Sequence, residues 1–199
     1  MLKLFDDPEN VLPFDGEAYY IPNFINSIEA IALFQLLEEE INWTNEELIL
    51  FGRKVVLSRK VAFCGDKGLT YTYSNRLKVA TEWSPILDKL KNKVSETLKA
   101  SFNACLLNFY HSGNEGMGWH SDNEKELVEL ATIASISLGD SRDFVFKHKN
   151  TKQSIRIHLE SGSLLVMKGA IQDHWLHALP KTKKSKNPRM NLTFRLMKT

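Results

Sequence analysis

No run in this 199-residue chain approaches the roughly 18 to 20 consecutive apolar residues that a membrane-spanning helix needs. The opening, MLKLFDDPEN, also lacks the unbroken hydrophobic stretch of a secretory signal. Both absences predict an intracellular protein, cytoplasmic or, in a eukaryote, nuclear, with no membrane partner. Cysteine is scarce: only Cys64 and Cys105 occur, at neither CxxC nor disulfide-framework spacing, so two free thiols in a reducing compartment are expected. Internal repeats are missing, and the one biased stretch is KTKKSK, Lys181 to Lys186. Neither charge sign dominates, since the net charge is only +2. Overall charge thus neither demands nor excludes a nucleic-acid partner, and local clusters must decide. What is present, 43% hydrophobic and 25% charged residues, suits one soluble domain over 1–199 with a sizeable core, expected to be a monomer.

Residues 1–26 carry Pro8, Pro13, Gly16 and Pro22 among aromatic and acidic residues, which predicts irregular structure lying over a surface. A helix is expected from Ser27, with Ser27 as its cap and Ile31, Phe34, Leu37 and Ile41 as one apolar stripe. A second starts at Ser84-Pro85, with proline at the first helical position, and buries Leu87, Leu90, Val94 and Leu98. Between them, LILFGRKVVLSRKVAFCGDKGLTYTYSN reads as a strand-like hairpin region, about 46–75, with a tip at Phe51-Gly52. Beyond residue 101 the chain turns to short alternating runs: Ala104–Tyr110, Ile133–Leu138, Asp143–His148, Ser154–Leu159, Ser163–Met167 and Met190–Leu196. Such runs imply a double-sheet jelly roll over 101–199, and the helices over 1–100 make the whole α+β.

The chemistry concentrates in NFYHSGNEGMGWHSDNE, Asn108 to Glu124, where His120 and Asp122 stand one residue apart. On an extended backbone such residues share a face, so an imidazole and a carboxylate can converge on one ion. Two imidazoles and one carboxylate, with other positions open, hold the metal of non-haem Fe(II) oxygenases. The second imidazole must come from elsewhere. His111 points away from the face of Asn108 and Tyr110, and His148 and His158, among charged neighbours, read as surface residues. His174 and His177, in DHWLHALP, are not separated by local chemistry. In PRMNLTFR, Arg189, Asn191, Thr193 and Arg195 share one face, opposite Met190, Leu192 and Phe194. Two arginines there would be costly to bury without an anion, and guanidinium forks grip carboxylates, which points to a dicarboxylic acid. Arg53, Lys54, Arg59, Lys60, Lys67, Arg76 and Lys78 make the hairpin region basic, with Tyr71 and Tyr73 on one face. That mixture holds single-stranded or extruded nucleotides, although a solvated hairpin with half-buried tyrosines has the same pattern.

Taken in order, NFYHSGNEGMGWHSDNE, IASISLGDSRDF, SGSLLVMKGAIQDHWLHALP and PRMNLTFR resemble the AlkB family of Fe(II)- and 2-oxoglutarate-dependent dioxygenases, which reverse alkylation damage in nucleic acids. The likeness runs from about Asn108 to Arg195, and more faintly over Phe51 to Ser74. It implies a double-stranded β-helix (jelly roll), Fe(II) on His120, Asp122 and His177, and O2 as oxidant. It further implies 2-oxoglutarate on Arg189, with Asn108 and Tyr110 beside it and Asn191 and Arg195 assisting. The hairpin becomes a nucleotide-recognition lid: Phe51 wedges into the stack, Arg59 and Lys60 meet phosphates or the lid, Tyr71 and Tyr73 flank the pocket, and Glu124 approaches the damaged base. The implied activity is oxidative demethylation of bases such as 1-methyladenine and 3-methylcytosine in DNA, with RNA as a further substrate, releasing formaldehyde. Where relatives read P-R-x-x-x-x-Y-G-D, this chain has SRKVAFCGD, with Ser58 for the proline and Cys64 for the tyrosine. Two other readings are the same chemistry on RNA, protein or a small molecule, and a metal-binding jelly roll without turnover. The last would be expected to lose a ligand or an arginine, and this sequence keeps them all.

Overall fold

Alternating side chains past residue 101 fold into strands of two antiparallel sheets, in a computed structural model that describes residues 8–50, 53–73, 76–184 and 187–198. In chain order the elements are β1 (Glu17–Ile21), α1 (Ser27–Glu40), β2 (Thr44–Leu50), β3 (Arg53–Gly65), β4 (Thr70–Tyr73), β5 (Arg76–Val79), α2 (Pro85–Leu98), β6 (Ala104–Tyr110), β7 (Met117–His120), β8 (Ile133–Gly139), β9 (Arg142–His148), β10 (Ser154–Leu159), β11 (Leu164–Lys168), α3 (Ile171–His174), β12 (Trp175–Leu179) and β13 (Arg189–Arg195). The larger sheet runs β1-β11-β8-β13-β6-β3-β2 and the smaller β10-β9-β12-β7, while β4 pairs with β5. Among the described residues no helix is long and apolar enough to cross a membrane.

One face of the larger sheet is covered by α1 and α2, which contribute Leu33, Leu37, Leu87, Leu90 and Val94 to a core shared with Leu107, Ile136 and Leu192. Its other face meets the smaller sheet, where Ile133, Leu165 and Met167 pack with Phe146, Leu159 and Trp175. The α2 pattern is realised as expected, with Ser84 accepting the Leu87 amide at 3.4 Å and Pro85 opening the helix. Leu90, at 3% exposed, would leave a cavity if cut to alanine, at a cost of about 2 to 5 kcal/mol.

Three expectations are corrected. Asn26, not Ser27, caps α1, its side chain accepting the Glu29 amide at 2.9 Å; Asn is as good a cap as Ser, and the helix starts one residue earlier than a Ser27 cap sets it. The buried stripe of α1 is Ala30, Leu33 and Leu37, while Ile31 is 61% exposed. Phe34 instead lies against Gly139, where an added Cβ would come within 2.8 Å of its ring. Within 1–26, Glu17–Ile21 is a strand rather than irregular, because β11 offers it a ladder and Asn10 caps the turn, its Oδ1 accepting the Ala18 amide at 2.8 Å.

The basic hairpin is β2 paired with β3, and β3 continues into the larger sheet, pairing with β6 from Lys60 to Gly65. Its tip, Phe51-Gly52, lies outside the described residues. Cys64 faces Cys105 in register, and both are buried free thiols whose pKa burial pushes up.

Candidate active site

The pairing of β7 with β12 places His120 opposite His177, and the two Nε2 atoms are 3.1 Å apart. Asp122, two residues past His120 and just beyond β7, brings its Oδ1 to 3.9 Å from His120 Nε2. Ligand atoms about 2.1 Å from one octahedral ion and at right angles to each other are about 3.0 Å apart, so the donor set fits a single divalent metal. The His120 Nδ1 lies 2.9 Å from the Gly118 carbonyl and donates to it in the neutral ring, which leaves the Nε2 lone pair aimed at the site. His177 is 3% exposed between Phe144 and Phe146, and burial above all lowers its pKa to about 3, keeping it neutral.

Asp122 is 5% exposed and accepts from the Arg195 guanidinium at 2.8 Å. Burial alone would push its pKa up, but Arg195, then His177 and His120, outweigh that and bring it down to about 2. A depressed carboxylate contributes stability that is complete above its unfolded pKa, about 3.9, and is lost as pH falls through the folded one. Metal-free protein is therefore expected to lose about 2 kcal/mol in urea titrations taken from about pH 5 down to about pH 2. A carboxylate already neutral in the folded state would give no such loss.

A second cluster, Asp15, His148 and His174, also brings three ligand atoms within 4.8 Å of one another. Hydrogen bonding separates the two. The Thr151 amide donates to His148 Nδ1 at 3.0 Å, so the ring proton sits on Nε2 and is donated to Asp15 at 3.2 Å. A protonated nitrogen has no lone pair for an ion. His148 is thus a fastener that pins the segment of Phe14 and Asp15 to β9, beside Trp175, whose Nε1 donates to the Phe14 carbonyl at 3.1 Å. This corrects its reading as a surface residue: at 2% exposed it follows Phe144 and Phe146 on the inward face of β9, whereas His158 does lie at the surface, against Asp143.

Beyond the triad lies a cleft lined by Asn108, Tyr110, His120, Asp122, His177 and Arg189. Arg189 pairs in register with Tyr110, and Asn191 with Asn108. Arg189 is 2% exposed; its Nη2 donates to the Ser137 hydroxyl at 2.9 Å, and among the described residues neither its Nε nor the Asn108 Oδ1 has a hydrogen-bond partner. Burial lowers the guanidinium pKa to about 10, with Tyr110 opposing and Arg142 adding to the shift. A buried cation holding an unspent donor at the end of a cleft fits a carboxylate. Asn191 is turned to Ser135 at 2.6 Å and to the Ile136 carbonyl, and so braces the cleft wall.

The remaining candidates fall into three groups. Glu124 lines a separate cavity of about 520 Å³ whose walls include Asp122 and Arg195, so that ion pair stands between cavity and cleft. Tyr71 and Tyr73 lie on β4, and Phe51 is outside the described residues. Arg59, expected at phosphates or the lid, is 4% exposed, with Nη1 3.4 Å from the Gly116 carbonyl and its guanidinium 5.7 Å from the Tyr110 ring centre. Its position on β3 turns it inward, toward Gly116, Met117 and Tyr110. The two departures from the family motif are also placed. Ser58 bonds to the Glu115 carboxylate, and Cys64 packs in the helix-side core with its Sγ 3.2 Å from Thr81 Oγ1. Sequence reasoning passed over Arg142, which is fully enclosed and donates to the carbonyls of Ser112, Glu115 and Pro180, at 3.4, 2.9 and 2.7 Å, securing the loops beside β7 and β12. Its place between two aspartates on a strand gave no sign of that.

Comparison with known proteins agrees with this chemistry. The model of the 2OG-Fe(II) oxygenase superfamily matches residues 17–195. Over 178 residues the chain is 40% identical to the DNA oxidative demethylase ALKBH2 of Bos taurus, covering 84% of this chain and 64% of the relative, and 40% identical to that of Homo sapiens, covering 84% and 68%. It is 34% identical to the alpha-ketoglutarate-dependent dioxygenase alkB homolog 3 of Homo sapiens, over 87% of this chain and 64% of the relative. The chain thus spans about two thirds of the length of these relatives. A solved structure described as "The structure of OsALKBH1" superimposes with a TM-score of 0.65 at 18% identity, over 93% of this chain and 99% of that one, and shares the fold. Since the family match takes in every strand from β1 to β13, and with them both histidines, the aspartate and the two arginines, the chain belongs to the 2OG-Fe(II) oxygenase superfamily.

Proposed function

We propose that this chain is an AlkB-type Fe(II)- and 2-oxoglutarate-dependent dioxygenase that removes methyl groups from alkylated DNA bases by oxidation. The observation that carries the reading is the meeting, in one cleft, of the His120, Asp122 and His177 heads with the unspent donor of buried Arg189. His120, Asp122 and His177 would hold the iron, which, when bound with 2-oxoglutarate, supplies oxygen activation coupled to decarboxylation of the diacid and hydroxylation of an N-methyl group. Arg189 takes the distal carboxylate, with Asn108 and Tyr110 beside it. Arg195 keeps Asp122 ionised, and Phe144 and Phe146 keep water from His177. A methylated ring nitrogen adds positive charge to adenine or cytosine, which the Glu124 carboxylate, across the Asp122–Arg195 pair from the cleft, favours at a distance. The base must leave the duplex to reach the site, at a cost of a few kcal/mol that is least for a lesion that pairs badly.

In this reading the two-sheet sandwich is the jelly roll of a single domain over 1–199, acting inside the cell as a monomer. The β2–β3 hairpin, with β4 and β5, is the lid over the extruded base, and Lys181, Lys183 and Lys184 face backbone phosphate. The deciding experiment incubates the protein with Fe(II), 2-oxoglutarate and alkylated DNA and RNA oligonucleotides, and weighs the products. Loss of the mass of a methylene unit from a lesion, with succinate formed, supports the proposal; no mass change on any nucleic acid would remove it. Alanine at Tyr71 and Tyr73 is expected to slow lesion processing at least tenfold while sparing 2-oxoglutarate turnover without substrate, consistent with one or two lost stacking contacts of about 1 to 3 kcal/mol each. Unimpaired repair by both variants would place the base elsewhere.

A further inference from the structure

β7 ends at His120, so Asp122 lies beyond the ladder that holds its partner histidine. Its amide donates to the side-chain oxygen of Gln172, at 2.8 Å. Gln172 sits in α3, a single turn that runs straight into β12 and His177. Lys149 secures that turn: its ammonium donates to the Gln172 carbonyl at 2.8 Å and reaches the Ser121 hydroxyl at 3.5 Å, and its amide donates to the His174 carbonyl at 2.8 Å. One glutamine side chain therefore joins the segment bearing the carboxylate to the segment bearing the buried histidine.

We propose that Gln172 is a positioning residue for the metal triad, setting its affinity for a divalent ion by fixing the Asp122 backbone relative to His177. The proposal rests on reading His120, Asp122 and His177 as ligands. A buried amide without an acceptor is costly, so removing the Gln172 oxygen drives residues 121–123 to turn that amide toward water. The turn swings the Cα–Cβ bond of Asp122 and takes its carboxylate out of register with the two imidazoles. Groups one step behind a metal ligand typically contribute 10- to 100-fold to metal affinity.

The test is calorimetric titration of the full metal-free chain with Mn(II), for wild type, Gln172→Leu and Gln172→Glu, alongside thermal melts. Gln172→Leu is expected to weaken Mn(II) binding about 10- to 100-fold. Gln172→Glu, with an oxygen at the same reach, should bind within about threefold of wild type or more tightly. A residue that only supported the fold would lower the melting temperature and leave the titrations alike. Equal Mn(II) affinity in Gln172→Leu and wild type, or an equal loss in both variants, overturns the proposal. Failure of the wild type to take up Mn(II) would overturn the triad reading, and this inference with it. Should Gln172→Leu not fold, Gln172→Asn, one methylene short of the Asp122 amide, carries the same expectation.

Discussion

His177→Ala is expected to weaken divalent-metal binding by more than about 100-fold and to bring turnover below detection, while His174→Ala keeps most of both. The two residues are three apart in one short segment, and local chemistry does not tell them apart. The strands do: β12 sets His177 against His120, with the Nε2 atoms 3.1 Å apart, whereas His174 ends α3 beside His148, in the cluster whose Nε2 is already committed to a proton. Losing His177 removes one of the three heads that converge within 4.8 Å. Anaerobic Fe(II) titration of the two variants measures the difference directly. The opposite ranking would move the metal to the cluster of Asp15 and His148.

Arg189→Met should raise the 2-oxoglutarate KM at least 30-fold, since removing one partner of a buried charged pair costs about 2 to 5 kcal/mol or more. Metal affinity should stay unchanged, because Arg189 does not bond to the triad. Burial already disfavours the Arg189 charge, so the metal-free variant is expected to melt close to wild type, which separates lost binding from lost structure. A 2-oxo acid without a distal carboxylate sharpens the measurement: it should serve wild type and Arg189→Met equally poorly. An unaltered KM in the variant would assign the diacid to Arg195 or to a different cleft.

The strands past residue 101 were legible because each carries its own alternation: Ala104–Tyr110 and Ser154–Leu159 fall at the expected bounds, and four others differ by a residue or so at the ends. β1 and β12 escaped for opposite reasons. Glu17–Ile21 lies among prolines and glycines and becomes a strand only because β11, far away in sequence, presents an edge. In Trp175–Leu179 the sequence displays a histidine and hides the strand, since WLHAL lacks a clean alternation of apolar and polar residues. His120 and Asp122 could be found locally, since spacing on an extended chain is a local property, but the identity of the third partner is decided by cross-strand register. Side chains that act from behind were the least visible. Arg59 and Arg142 look like surface charges, and only the assembled sheets show them enclosed, with Arg142 serving three carbonyls.

The length of β3 has a mechanical consequence. Of its 13 residues Lys60 to Gly65 pair with β6, while along Arg53 to Arg59 the ladder partner is β2, with side-chain ties from Ser58 to Glu115 and from Arg59 to the Gly116 carbonyl at the inner end. At about 3.3 Å per residue that is a beam ~23 Å long. Arg59 is its root, packed on the same Tyr110 ring that Arg189 packs on. Torque applied to the outer part of the strand is therefore delivered first to the wall of the cleft lined by Tyr110 and Arg189, through leverage that a shorter strand would not possess.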